Sequence, residues 1–275
     1  MNVVNDIVRV NDLAYHLSHV GQGETLVLLH GFTGSGEDWT VLVDSLKHRF
    51  SILTIDLPGH GHTESPGDPQ RYRMEVVAED LLAILDDLKL SYINLMGYSM
   101  GGRLALYFAL QHPGRIKSLI LESASPGLLR PDERQARRQR DASLADRIER
   151  DGIPVFVDSW EKIPLFASQR RNLSAAAWEK QRSQRLKNNP TGLANSLRGM
   201  GTGSQPQLWS RLEELDLPTL LLTGELDRKF TVIAGQMAAK LSYYQMSVLA
   251  NAGHNILIET PHPVCDRVVA FVTGV

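Results

Sequence analysis

Short apolar runs rich in β-branched residues alternate with longer stretches of helical spacing along most of this 275-residue sequence. Such runs, each followed by a helix, are typical of a mainly parallel sheet with helices on both faces. The predicted strands cover residues 7–10, 14–19, 25–29, 51–55, 92–96, 116–121, 219–223 and 246–249, and the predicted helices cover residues 39–48, 74–88, 101–111, 232–241 and 264–272. The first two strands flank a turn at Asn11-Asp12 and are expected to pair antiparallel. The sequence therefore predicts an α/β fold.

Residues 127–210 interrupt this alternation. They contain several helical stretches, few β-branched runs, and helix breakers at Gly152, Pro154, Pro164, Pro190 and Gly192. We predict a helical cap inserted after the sixth strand, with residues 1–126 and 211–275 forming the α/β core. Because open α/β sheets bind ligands at the carboxyl ends of their strands, such a cap would cover the binding site.

The predicted cap is locally basic, although the whole chain has a formal net charge of −2. The excess of arginine could meet an anionic ligand, or it could be an ordinary solvated helical surface. Charge alone leaves both interpretations open.

The apolar runs are far shorter than the roughly 18 residues that a membrane-spanning helix needs. The first residues lack the basic start and the uninterrupted apolar stretch of a signal peptide. The single cysteine, Cys265, cannot form an internal disulfide and has no histidine or second cysteine at metal-ligand spacing. We therefore expect a cytoplasmic protein without a metal site.

A serine lies between a predicted strand and a predicted helix in the pattern G-x-S-x-G, as Gly97-Tyr98-Ser99-Met100-Gly101. Glycine permits a sharp turn that presents the serine hydroxyl above the sheet, and the helix N-terminus stabilises nearby negative charge. The pattern is common by chance, but its position between strand and helix favours a nucleophile elbow over a structural glycine turn. Ser99 is the candidate reactive residue.

The loop after the third predicted strand has the sequence His30-Gly31-Phe32, followed by Gly34-Ser35-Gly36. Such a loop can aim a backbone N–H at the space above the elbow serine. We predict an oxyanion hole formed by the amides of Phe32 and Met100, with a plain glycine-rich turn as the alternative. A phosphate loop is disfavoured because no G-K-[ST] follows.

A serine hydroxyl becomes reactive when a histidine accepts its proton, and behind such an elbow the order is serine, acid, histidine. His254 follows the last predicted strand and precedes the final helix, as this order requires. His60 and His62 precede the serine, and His112 lies at a predicted helix end. His254 is therefore the predicted base.

The acid that orients this histidine is expected in the loop after the penultimate strand. Asp227 is the better placed residue there, and Glu225 lies two positions earlier. Glu122, at the end of another predicted strand, is a further alternative. We predict a triad of Ser99, Asp227 and His254.

Three motifs carry a resemblance to a known family. They are Gly97-Tyr98-Ser99-Met100-Gly101-Gly102-Arg103, Asp56-Leu57-Pro58-Gly59-His60-Gly61, and Pro126-Gly127-Leu128 followed by Glu133-Arg134-Gln135-Ala136-Arg137. In these motifs, and over essentially its whole length, the sequence resembles the 2-succinyl-6-hydroxy-2,4-cyclohexadiene-1-carboxylate synthases of menaquinone biosynthesis, which have the α/β-hydrolase fold. The arginine after the elbow and the E-R-x-A-R helix are the motifs most specific to that family.

The resemblance implies a lyase that eliminates pyruvate from 2-succinyl-5-enolpyruvyl-6-hydroxy-3-cyclohexene-1-carboxylate, with no cofactor and no metal. Ser99, activated by His254 and Asp227, would remove a ring proton beside the succinyl ketone. The amides of Phe32 and Met100 would hold the resulting enolate. This elimination requires neither an acyl-enzyme nor water.

The resemblance also implies a set of substrate-binding residues. They are Tyr98, Arg103, Arg137, Trp160 and Arg185. A substrate with three carboxylates needs cations, and guanidinium forks match planar carboxylates well. Trp160 could instead be a packing residue of the cap, and the neighbouring Arg134 and Arg138 could simply be solvated.

Two other functions remain open at this point. The same triad supports a hydrolase of esters or of carbon–carbon bonds beside a ketone, and the fold alone cannot distinguish the two. A non-catalytic ligand-binding protein is the second alternative. In each case the expected partner is a small molecule, here a tricarboxylate, with no nucleic acid and no membrane, and the expected assembly is a monomer or a small homo-oligomer.

Overall fold

The computed structural model describes residues 4–274, which form one eight-stranded sheet. In chain order the strands are Val4–Val10 (β1), Leu13–Gly21 (β2), Thr25–Leu29 (β3), Ser51–Ile55 (β4), Ile93–Tyr98 (β5), Ile116–Glu122 (β6), Thr219–Gly224 (β7) and Tyr244–Leu249 (β8). Their spatial order is β1-β2-β4-β3-β5-β6-β7-β8, in which β2 pairs antiparallel with β1 and β4 and all other pairs are parallel. The prediction of a mainly parallel sheet is confirmed.

Helices cover both faces of this sheet. They are Thr40–Leu46 (α1), Met74–Asp87 (α2), Met100–Gln111 (α3), Pro131–Trp160 (α4), Gln169–Asn172 (α5), Ala175–Leu186 (α6), Pro190–Met200 (α7), Arg228–Ala238 (α8), Ile256–Glu259 (α9) and Pro261–Thr273 (α10). Along β3, Leu26 and Leu28 belong to the cluster with α1 and α10, whereas Val27 and Leu29 belong to the cluster with α2, α3 and α8. Side chains alternate between the faces of a strand, so burial on both faces explains the continuous apolar runs in the sequence.

Helix α8 begins at Arg228, earlier than the predicted residue 232. The carboxylate of Asp227 accepts a hydrogen bond from the backbone N–H of Phe230 at 3.4 Å and so caps the helix. The first turn of the helix begins with exposed polar residues. The spacing of apolar residues, on which the prediction relied, therefore does not indicate this turn. The start of this helix places Asp227 at the carboxyl edge of the sheet.

Helices α4 to α7 lie between β6 and β7, within the predicted cap segment. Helices α4 and α7 share a hydrophobic cluster of their own, made of Ala145, Ile148, Ile153, Phe156, Val157, Leu193, Ala194 and Leu197. Helix α4 is kinked at Gly152, whose φ of 81° is not helical, two residues before Pro154. The separate cluster agrees with a cap, while its behaviour as a domain stays a prediction.

Within residues 4–274, no helix combines the length and the apolar character needed to cross a membrane.

Candidate active site

The elbow forms between β5 and α3, with Ser99 at φ 48° and ψ −102°. In this turn the backbone at two glycines comes very close to neighbouring carbonyl oxygens. A Cβ on Gly97 would lie 2.3 Å from the carbonyl oxygen of Gly101, and a Cβ on Gly101 would lie 2.1 Å from that of Leu29. The two glycines of the motif are therefore required by packing, and the strained serine conformation is held by its surroundings.

The ring of His254 lies between Ser99 and Asp227, within hydrogen-bonding distance of each. The Nε2 atom of His254 is 3.0 Å from the Oγ of Ser99, and its Nδ1 is 2.6 Å from the Oδ2 of Asp227. Because a carboxylate only accepts, it fixes the imidazole proton on Nδ1 and leaves Nε2 free to accept the serine proton. The arrangement can transfer a proton from the serine, as the predicted triad requires.

The two alternative acids have other partners. Glu225 is exposed, and its Oε2 accepts a hydrogen bond from the backbone N–H of Asn251 at 3.0 Å. Glu122 is fully buried, and its Oε1 accepts one from the N–H of Leu257 at 3.1 Å. Among the described residues only Asp227 places a carboxylate against the ring of His254. The geometry therefore favours Asp227 as the acid.

Glu122 is expected to make the stability of the protein depend on pH. Burial raises the pKa of this carboxyl from its ordinary value of 4.5 to about 8, opposed by its backbone hydrogen bonds. The folded state therefore holds a proton that the unfolded chain releases, and stability falls as the pH rises from 4.5 to about 8. We expect thermal melts between about pH 5 and pH 9 to show a shallower decline for Glu122→Gln, which cannot ionise. Parallel curves for the two proteins would contradict this assignment.

The amides of Phe32 and Met100 have no hydrogen-bond acceptor among residues 4–274, as donors of an oxyanion hole require. The ring of His30 braces the loop that carries Phe32. Its Nδ1 donates to the carbonyl of Gly31 at 2.8 Å, and its Nε2 accepts from the N–H of Leu57 at 2.9 Å. The carbonyl of His30 also accepts from the N–H of Gly101 at 3.1 Å, which ties this loop to the elbow.

His60, in an early loop, is not a second base. Its ring lies 5.1 Å from that of His30 and 5.7 Å from that of Phe32, between centroids. Burial lowers the pKa of His60 to about 3, so the ring is neutral at physiological pH. We therefore assign His60 a packing role beneath the Phe32 loop.

A cavity of about 170 Å³ opens above Ser99 and His254. Its wall contains Phe32, Tyr98, Met100, Arg103, Leu128, Arg137, Trp160, Leu165, Phe166, Leu197, Lys229, Phe230 and Ile233. The wall is largely aromatic and aliphatic, and its charged groups are cations. None of the described residues that line it is an aspartate or a glutamate. The cavity therefore suits an anionic molecule with an apolar body.

The ring of Phe32 joins the cap to the core. It packs edge-to-face against Trp160 at 5.5 Å and against Phe156 at 6.2 Å, both on α4. It also contacts the hydrophobic cluster of the cap, although Phe32 belongs to the core loop after β3. The residue predicted to offer an amide to an oxyanion hole thus has its side chain among cap residues.

Known proteins resemble this chain over most of its length. A family model described as the alpha/beta hydrolase fold matches residues 24–261. A Bacillus subtilis (strain 168) protein provisionally named 2-succinyl-6-hydroxy-2,4-cyclohexadiene-1-carboxylate synthase is 47% identical over 92% of this chain and 91% of its own. The synthase of the same name from Klebsiella pneumoniae (strain 342) is 36% identical over 86% of this chain and 88% of its own.

The chain belongs to the 2-succinyl-6-hydroxy-2,4-cyclohexadiene-1-carboxylate synthase family. A solved structure, MenH from S. aureus, has a TM-score of 0.90 and 37% identity, and the match covers 94% of this chain and 98% of that one. The enol-lactonase from Burkholderia xenovorans LB400, at 23% identity and a TM-score of 0.85, shares the fold alone. The predicted α/β-hydrolase fold and the predicted family are both confirmed.

Two of the arginines predicted for a synthase of this family line the cavity. Arg103 is buried, and its Nη1 donates to the carbonyl of Met200 at 2.8 Å and to the Oε1 of Gln205 at 3.1 Å. Burial, and then the charge of Arg137, lower the pKa of Arg103 to about 10, so it remains a cation at neutral pH. Arg137 is half-exposed and donates from Nε to the Oδ1 of Asp141 at 2.8 Å. Both guanidinium groups keep further N–H groups for a ligand.

Arg185, the third predicted arginine, is not on the cavity wall. Its Nη1 pairs with the Oε1 of Glu161 at 3.2 Å, and its guanidinium lies 5.1 Å from the ring centroid of Phe166. Glu161 is buried in the cap and holds both Arg182 and Arg185. This arrangement supports a role behind the wall rather than contact with substrate. The sequence did not indicate it because the ion pair depends on the packing of α6 against α4.

The other predicted wall residues of the synthase family, Tyr98 and Trp160, do line the cavity. Arg134 donates to the carbonyls of Leu128 and Leu129, and Arg138 to that of Gly203. These two arginines hold loops and do not line the cavity. They are therefore neither substrate contacts nor simply solvated.

Three charged or aromatic residues of the wall, Lys229, Phe166 and Phe230, escaped the sequence analysis. Lys229 lies at the mouth of the cavity, and it pairs with no carboxylate among residues 4–274. Phe166 and Phe230 flank the ring of His254, at 6.4 Å and 4.5 Å between centroids. Lys229 and Phe230 directly follow Asp227, and this position could have indicated that they lie near the active site. No comparable feature of the sequence indicates Phe166, which belongs to the cap.

Among residues 4–274, no three histidine, cysteine, aspartate or glutamate side chains are grouped as a metal site requires.

Proposed function

We propose that this synthase-family chain is a lyase of the menaquinone pathway. It eliminates pyruvate from 2-succinyl-5-enolpyruvyl-6-hydroxy-3-cyclohexene-1-carboxylate and leaves 2-succinyl-6-hydroxy-2,4-cyclohexadiene-1-carboxylate. The observation that carries the proposal is the wall above Ser99, which has Arg103, Arg137 and Lys229 but no lining carboxylate. The three carboxylates of the substrate are opposite in charge to these three cations and can pair with them.

In the proposed reaction Ser99 acts as a base. The Nε2 of His254 accepts the hydroxyl proton, and the serine oxygen removes the ring proton beside the succinyl ketone. The electrons of that C–H bond form an enolate, whose oxygen accepts hydrogen bonds from the amides of Phe32 and Met100. The enolate collapses, the ring C–O bond breaks, and the departing enolate of pyruvate takes up the proton that His254 had accepted, which gives pyruvate and restores the neutral imidazole. One C–H bond and one C–O bond break, and one C=C bond forms in the ring.

A hydrolase would use the same serine as a nucleophile and would then need water. A neutral ester has no use for cations on the wall, so the charges favour the elimination. No feature of the cavity gives separate support to a hydrolase or to a non-catalytic binding protein.

The decisive experiment follows pyruvate release from the enolpyruvyl substrate with coupled lactate dehydrogenase. Release well above the uncatalysed rate is expected for the wild-type protein. Turnover of simple esters without release of pyruvate would reject the lyase and leave a triad hydrolase.

Arg137→Ala is expected to raise the KM for the enolpyruvyl substrate by about 10- to 100-fold, since a charge-assisted hydrogen bond contributes about 1.5–3 kcal/mol. The kcat should change less, because the lost contact acts on the bound substrate and not on the proton transfer. Steady-state kinetics measure both parameters.

The matched control is Arg150→Ala, on the same helix. Arg150 is exposed, and within residues 4–274 its one carboxylate partner is the neighbouring Asp151. It does not line the cavity and lies well away along α4 from the wall residues Arg137 and Trp160. Equal effects of the two substitutions would mean that general charge, and not the position of Arg137, attracts the substrate.

A further inference from the structure

A buried glutamate fastens the turn before His254 to the cap. The Oε2 of Glu259, at the end of α9, accepts hydrogen bonds from the backbone N–H of Gly253 at 3.0 Å and from the Nδ2 of Asn172 at 2.8 Å. Its Oε1 accepts one from the Oγ of Ser168 at 3.0 Å. One carboxylate thus joins the residue preceding His254 to both ends of the cap segment 168–172.

Two further contacts tighten the same junction. The Nδ2 of Asn172 also donates to the carbonyl of Asn251 at 2.6 Å. A Cβ on Gly253 would lie 1.9 Å from the Oγ of Ser168, so only glycine permits this approach. The cap and the turn are therefore packed directly against each other, and the hydrogen bonds do not span a gap.

The adjoining part of this cap segment forms the cavity wall. Leu165 and Phe166, in the single turn Pro164–Phe166, line the cavity, and the ring of Phe166 faces that of His254. Residues 164–172 therefore meet the histidine in two ways, through a wall residue and through Glu259. A displacement of this segment would move both contacts.

We propose that Glu259 is a positioning residue that locks cap segment 164–172 to the turn carrying His254, so that closure of the wall and alignment of the triad depend on each other. The proposal rests on the triad of Ser99, Asp227 and His254, and not on the identity of the substrate. It assigns to Glu259 no contact with the reacting atoms.

The hydrogen bonds of Glu259 predict which substitutions at this position preserve the junction between the cap segment and the turn. Burial raises the pKa of Glu259 above its ordinary value, opposed by its hydrogen bonds to Ser168, Gly253 and Asn172. A glutamine could accept from Gly253 and Asn172 with its oxygen and donate to the Ser168 hydroxyl with its amide. An alanine leaves the buried N–H of Gly253 and the buried hydroxyl of Ser168 without this acceptor, while the exposed amide of Asn172 keeps its hydrogen bond to the carbonyl of Asn251. Glutamine should therefore preserve the lock, and alanine should break it.

The first test measures how fast a fluorophosphonate labels Ser99, because this readout does not require the tricarboxylate. We expect Glu259→Ala to lower the labelling rate constant about 10- to 100-fold, since misplacing a catalytic group by about 1 Å costs this much. The final labelled fraction should remain that of wild type, which separates a misaligned triad from a partly unfolded sample. Glu259→Gln should stay within about threefold of wild type. Ser99→Ala fixes the unlabelled background.

The second test is hydrogen–deuterium exchange, which needs no reaction at all. Glu259→Ala should raise exchange in residues 164–172 and in residues 250–254 together, with the rest of the sheet unchanged. The matched control, Glu179→Ala, removes an exposed cap carboxylate and should change neither segment. If Glu259→Ala does not fold, the double variant Ser168→Ala with Asn172→Ala removes the cap side of the lock and takes its place in both tests.

Three results would overturn the proposal. The first is a folded alanine variant, or the double variant in its place, that labels at the wild-type rate. The second is exchange that rises in one segment only. The third is a Glu259→Gln variant whose labelling rate constant is as low as that of Glu259→Ala. The charge of Glu259, and not its hydrogen bonds, would then hold the triad in place. A failure of pyruvate release in the wild-type protein would reject the proposed function but leave these readouts intact.

Discussion

Ser99→Ala is expected to reduce the kcat for pyruvate release by about 10³-fold or more, because the variant has no group at the elbow to remove the ring proton. His254 remains, but its Nε2 lies 3.0 Å from the position of the serine oxygen, so we expect it to be a poor substitute for that base. Binding should persist, since the wall cations are untouched. Single-turnover release of pyruvate, followed with lactate dehydrogenase, measures the loss, and calorimetry with the cyclohexadiene product measures binding.

The matched control is Ser210→Ala, an exposed serine outside the cavity wall. It should retain the wild-type kcat. A Ser99→Ala protein with more than about a tenth of the wild-type kcat would contradict a serine base. The mechanism would then have to begin with His254 or with water.

Asp227→Asn is expected to lower kcat by about 10³- to 10⁴-fold while leaving the fold intact. The aspartate accepts the Nδ1 proton of His254, whereas an asparagine amide can rotate to donate there and place the imidazole proton on Nε2. A protonated Nε2 cannot accept the serine hydroxyl proton. Measurement of kcat together with the thermal melting temperature separates this loss of chemistry from a loss of stability.

Glu225→Gln is the matched control, because it changes a carboxylate two residues away whose one side-chain hydrogen bond among residues 4–274 is accepted from the N–H of Asn251. The variant should keep kcat within about threefold of wild type, as expected for an exposed hydrogen bond. Loss of activity in Glu225→Gln with retention in Asp227→Asn would exchange the roles of the two acids.

The order of elements along the chain was sufficient to predict the fold. Buried parallel strands need apolar residues on both faces, so their runs are visible in the sequence without any knowledge of contacts. The same order indicated Ser99, Asp227 and His254, because each follows the carboxyl end of a strand at one edge of the sheet. The structure brings these three together, and their catalytic role stays a prediction until the variants are measured.

The parts that escaped prediction depend on side chains meeting from distant segments. Arg185 was expected at the substrate, but Glu161, from another helix, holds it behind Phe166. Glu259 drew no notice because a lone glutamate near a helix end is ordinary, and its partners Ser168 and Asn172 lie about 90 residues away in sequence. Periodicity describes one element at a time and carries no information on such pairs.

Phe32 sets a limit on how freely such proteins can be recombined. Phe32 lines the cavity above Ser99 and is predicted to offer its amide there, while its ring packs among the aromatic side chains of α4. A chimera that grafts the cap of another hydrolase onto this core would surround that ring with different side chains. We expect the repacked ring to displace the backbone amide of Phe32 as well. Cap and core are thus not interchangeable modules here, and a change of substrate by cap exchange must carry the residue at position 32 along with the graft.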